Sequence, residues 1–62
     1  MFAKFTLSSN GKPIYIDIDK IVAFYNEPIN GGTKITTLDN DYTIVAETIV
    51  DIIEIIALNG ES

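Results

Sequence analysis

Sixty-two residues form a single small domain, which buries only about 60% of the surface its unfolded chain exposes, so its stability is expected to lean on partners. With no cysteine and no histidine, disulfide staples and the common zinc sites are excluded. Four lysines, no arginine and nine carboxylates leave a formal charge of −5, which argues against nucleic acid and anionic lipid, and no apolar run approaches the ~20 residues of a membrane span.

An apolar fraction of 47% and a positive mean hydropathy are high for a chain that must also present polar surface, which points to self-association. Met1 leads directly into a strand-like segment, without the charged region and apolar stretch of a secretion signal, so the expected location is the cytoplasm.

Residues 2–7 alternate, with Ala3, Phe5 and Leu7 on one side and Lys4 and Thr6 on the other, as a half-buried strand does. The run Ser9-Asn10-Gly11-Lys12 follows, and Asn-Gly between two alternating segments predicts a two-residue hairpin turn. A second strand is expected over residues 13–18, with Ile14, Ile16 and Ile18 facing one way and Tyr15 and Asp17 the other. Pro13 lacks a ladder donor and suits the first position of an edge strand.

After a break at Asp19-Lys20, residues 21–25 read as a third strand that is apolar on both sides and therefore expected to be covered twice. Residues 26–32, rich in Gly, Pro and Asn, predict a wide, mobile loop. Strands over residues 33–38 and 41–47 flank a tight turn at Asp39-Asn40.

A helix is predicted over residues 48–58. Ile49, Ile52, Ile53 and Ile56 recur at the i, i+3, i+4, i+7 spacing of one face, with Asp51 and Glu54 opposite. The β-branched content opposes a helix, but the polar residues fall every third position rather than every second, and the period decides. Thr48 is the expected N-cap, with Asp51 forming an imperfect capping box, and Asn59-Gly60 the expected end, with Glu61 and Ser62 frayed.

The expected fold is thus α+β: a small antiparallel, about five-stranded curved sheet of hairpins with one C-terminal helix packed on it. Ile55 and Leu58 fall on the water side of the helix, beside Asp51 and Glu54, and together with Val50 they form the expected interface of a homo-oligomer.

Catalytic chemistry finds little purchase, and no enzyme is expected. Ser8 and Ser9 belong to a hairpin turn, and Lys12 and Lys20 sit in a turn and a break, where neither would be a buried base. The Asp17/Asp19 and Asp39/Asp41 pairs lack the spacing of a calcium loop and read as turn residues, so no metal and no cofactor are expected. Gly31-Gly32 is a bare turn with no following helix, unlike a phosphate-binding loop. Of Tyr15, Tyr25 and Tyr42, Tyr15 is the leading candidate to anchor a protein partner, because it points away from the helix beside Asp17; Tyr25 and Pro28 extend that expected contact surface.

The order Asn10-Gly11-Lys12, an alternating strand, Asp19-x-Ile21, Pro28, Ile35-Thr36-Thr37-Leu38 and Ile44-Val45-Ala46-Glu47-Thr48 running into a helix resembles the FlbD family of small flagellar and swarming-motility proteins. The family pattern usually has asparagine at Asp17 and glycine at Asp41, and its counterpart of residues 26–33 is shorter. A fainter likeness links the strands to LytTR-type domains. The FlbD resemblance implies a non-enzymatic accessory factor that acts through protein contacts. A second reading, from the acidic charge, is a small phage-type inhibitor or ligand-sequestering oligomer acting on a host defence or regulatory protein.

Overall fold

The computed structural model describes residues 1–29 and 31–60. Its class is α+β. Five antiparallel strands, β1 (Phe2–Thr6), β2 (Pro13–Asp17), β3 (Ile21–Asn26), β4 (Thr33–Thr37) and β5 (Tyr42–Val45), precede one helix, α1 (Ile49–Gly60). Asn30, in the loop expected to be mobile, and the expected frayed end at Glu61 and Ser62 lie outside the described residues.

The strands divide into two sheets rather than one. β1 and β2 form a hairpin, and β3, β4 and β5 form a three-stranded meander. They are sewn together at one point, where Leu7 bridges Val45, Ser8 N donates to Ile44 O at 3.0 Å and Ala46 N to Thr6 O at 2.8 Å. Glu47 reinforces this seam from both of its ends. Its carboxylate accepts from Thr6 N at 2.9 Å, and its carbonyl accepts from the buried Thr33 hydroxyl at 2.7 Å.

The first hairpin does not use the two-residue turn expected from Asn-Gly. Leu7 N donates to Lys12 O and Gly11 N to Leu7 O, which closes a four-residue loop over residues 8–11. A two-residue type I′ turn needs positive φ at both central positions. Here Gly11 alone adopts it (φ 72°), while the Asn10 side chain accepts from Lys12 N at 2.9 Å. At the β4–β5 turn, by contrast, Asn40 itself takes the left-handed conformation (φ 62°), with Asn40 N donating to Thr37 O and Thr37 N to Asp41 O.

β3 departs furthest from expectation. It is the edge of its sheet, not a doubly covered central strand, and Val22, Ala23 and Tyr25 are exposed. Its partners pass from Ile21↔Thr37 to Ala23↔Thr36, so Val22 is an extra residue in the ladder. In a regular strand Ile21 and Phe24 would point to opposite faces. The bulge turns both toward the core, against which they pack.

That core is built from Ala3 and Phe5 of β1, Ile16 of β2, Ile18 of the following 3-10 turn (Ile18–Lys20), Ile35 of β4, Val45 of β5 and Ile52 of α1. The helix touches β1 and β3, so it spans the two sheets and seals the gap between them. Its start is a reciprocal capping box: Asp51 N donates to Thr48 Oγ1 at 3.2 Å, and Thr48 N to Asp51 Oδ2 at 3.1 Å.

The helix is rotated from its expected phase. Ile52 is fully buried and Ile49, Ile55 and Ile56 are half-buried, whereas Ile53 is 53% exposed. The inward face therefore runs 49, 52, 55, 56, with Ile55 in the place foreseen for Ile53. Asn59, whose amide donates to Ile55 O at 2.8 Å, continues the same side of a helix that extends through Gly60 instead of stopping before Asn59.

Candidate functional site

Alternation along β4 sends Thr33 and Ile35 into the core and Lys34 out. The register places Tyr25 of β3 directly opposite Lys34, and β5 brings Tyr42 from the other side. The lysine Nζ stands 4.2 Å from the centroid of the Tyr42 ring and 5.7 Å from that of Tyr25, within cation–π range of both. Tyr25 beside the ammonium holds the Lys34 pKa above its ordinary value, with Tyr42 and Glu27 adding to the effect. The outcome is a positive charge fixed between two exposed aromatic rings.

Tyr15 lies on the outer side of the first hairpin, opposite Lys4, and is exposed. With Asp17 and Lys20 it lines a cleft between the two sheets, whose other wall carries Asp39, Asp41 and Tyr42. Tyr25 and Pro28 stand apart from it, Tyr25 beside Lys34 and Pro28 on the β3–β4 loop, where it is exposed. Of the four residues expected to meet a partner, Tyr15 and Asp17 thus share the cleft and Tyr25 stands beside Lys34, with Tyr42 common to both places.

Asp17 is already engaged. Its Oδ1 accepts from the Met1 ammonium at 3.0 Å and from Asp19 N at 3.1 Å, and Asp19 Oδ2 accepts from the same ammonium at 2.9 Å. The ammonium and the Asp19 amide hold the Asp17 carboxyl below its ordinary 3.8, and the two aspartates raise the α-amino group above its ordinary 8.0. The carboxylate's contribution is present above 3.8 and lost as pH falls through its lowered folded value. The amine's is present below 8.0 and lost as pH rises through its raised one. In the 62-residue chain, Asp17→Asn is expected to lower the melting temperature between these limits and to leave it nearly unchanged in strong acid. An identical pH profile of melting for both chains, followed by circular dichroism, would refute this.

The outer face of α1 is turned away from the core that Ile52 fills. Val50 is 63% exposed and Leu58 77%, and with Ile53 they form an apolar surface in which Glu54 stands. Of the residues expected at an oligomer interface, Val50 and Leu58 are therefore available, while Ile55 lies against the core.

Among the described residues no three His, Cys, Asp or Glu side chains come together as metal ligands. Comparisons with protein-family models, with characterised proteins and with solved structures find no match for this chain.

Sequence reasoning passed over Lys34 because its setting is created across strands. The alternation of Thr33, Lys34 and Ile35 signals that the lysine points outward, but only the register reveals the two tyrosines beside it. Ile53 was hidden by the uniformity of its neighbours.

Proposed function

We propose that this chain is a non-enzymatic protein-interaction module that works as an assembly of identical copies. The observation that carries the reading is the outer face of α1, where Val50, Ile53 and Leu58 are exposed on a helix whose opposite face already fills the core. A helix apolar on both sides is ordinarily covered on both. Removing each such side chain from water contributes about 1.5–3 kcal/mol, enough in combination to hold small subunits together. The partner surface in this reading is the cleft lined by Tyr15, Asp17, Lys20, Asp39, Asp41 and Tyr42, where Asp17 is held by the Met1 ammonium and the rings with Asp39 and Asp41 are left to meet a protein segment. The resemblance to FlbD-like proteins favours the same class and suggests motility as its setting.

Size-exclusion chromatography with light scattering tests the assembly. The chain is expected to run well above its 6.8 kDa subunit mass, and Val50→Glu with Leu58→Glu to return it to that mass with unchanged circular dichroism. A 6.8 kDa species for both chains at every concentration would defeat the reading.

A further inference from the structure

Two faces of this molecule share one design with opposite charge. On the helix, Glu54 is exposed among Val50, Ile53 and Leu58, and α1 contains no basic residue to meet it. Asp51, the other carboxylate of the helix, is committed to the Thr48 amide. On the sheet, Lys34 stands between Tyr25 and Tyr42 and has no carboxylate at ion-pair distance among the described residues. The helix face turns outward on one side of the core, and the tyrosine–lysine face turns outward across the β3–β5 sheet on the other.

We propose that α1 of one copy docks on the Tyr25–Lys34–Tyr42 face of the next, with Glu54 meeting Lys34; this arrangement rests on the self-association proposed above. The competing arrangement, two helices face to face, would press Glu54 against its own counterpart in a drying interface. A carboxylate desolvated beside another carboxylate, without a cation, is strongly disfavoured. Docking helix on sheet instead gives each charge its complement, lays Val50, Ile53 and Leu58 on two tyrosine rings, and leaves like charges apart. Because the two faces lie on opposite sides of one subunit, the contact is head-to-tail. It closes as a ring or continues as a stack, according to the rotation between neighbours.

The chain has no cysteine, so introduced thiols report geometry alone. Ile53→Cys and Tyr42→Cys chains, one carrying a size tag, are mixed in reduced form, allowed to assemble and then oxidised, with each chain oxidised alone for comparison. The mixture is expected to form the disulfide between the two different chains, and Ile53→Cys alone is expected to form little. Rapid linking of Ile53→Cys to itself in an assembled protein would overturn the head-to-tail contact and leave self-association standing. A wild-type chain that remains at 6.8 kDa in light scattering would remove both. Charge reversal gives an independent reading: Lys34→Glu and Glu54→Lys are each expected to weaken assembly by about tenfold or more, and the two together in one chain to restore it. If circular dichroism stays native and neither reversal shifts the assembly, the proposed pairing is wrong.

Discussion

Gly32→Ala is expected to abolish the native fold near room temperature, whereas Gly31→Ala one position away is expected to cost only about 1 kcal/mol. Both glycines have positive φ, 75° at Gly31 and 81° at Gly32, so both replacements carry the left-handed penalty of an L-residue. They differ in their surroundings. A Cβ on Gly31 meets open space, but a Cβ on Gly32 would run into the carbonyl of Val45. That carbonyl belongs to backbone held in the seam between the sheets, and Val45 itself is fully buried. Moving Gly32 instead would disturb the Glu27 N to Gly32 O bond at 3.1 Å and drag Thr33 from its hydrogen bond with Glu47 O. A domain of 62 residues has only about 3–9 kcal/mol of stability to lose, at roughly 0.05–0.15 kcal/mol per residue. Urea titration followed by circular dichroism decides the matter: equal midpoints for the two variants would contradict the close approach at Gly32.

This contrast marks where sequence reading stops. Gly31-Gly32 announced a turn, and Asn40 a tight one, because both residue types tolerate left-handed backbone. That Gly32 also lies against β5 depends on a contact between segments distant in the chain. The five strands and the helix were legible for the same local reasons: alternation over residues 2–7 and 13–18, of which Ile18 turns out to start a 3-10 turn, a threefold polar period in the helix, and the Thr48/Asp51 cap. The Val22 bulge was not, because a bulge is a relation between two strands, and Ile-Val-Ala-Phe-Tyr is apolar enough to fit either face. The Tyr25, Lys34 and Tyr42 surface was hidden likewise, since three strands contribute one residue each and only their register unites them.

Helix phase is the sharpest case, and it yields the second large effect. Ile52→Ala is expected to destabilise the monomer by about 2–5 kcal/mol, while Ile53→Ala in the same assay is expected to change it by less than about 1 kcal/mol. Periodicity alone puts these neighbours on a common face, because isoleucines at 49, 52, 53, 55 and 56 allow two rotations of the helix. The structure selects one of them. Ile52 is 0% exposed within the core cluster, where truncation leaves a cavity that Phe5, Ile35 and Val45 can fill only by giving up their own packing. Ile53 is half in water already. The comparison must be made with Val50→Glu and Leu58→Glu in the background, so that both chains are monomers. Restoring Val50 and Leu58 should then make Ile53→Ala costly in a concentration-dependent way, because its loss now weakens association rather than folding. Equal effects of the two alanines in the monomer would place α1 in the other rotation, with Ile53 inward. The apolar outer face on which the assembly depends would then be lost.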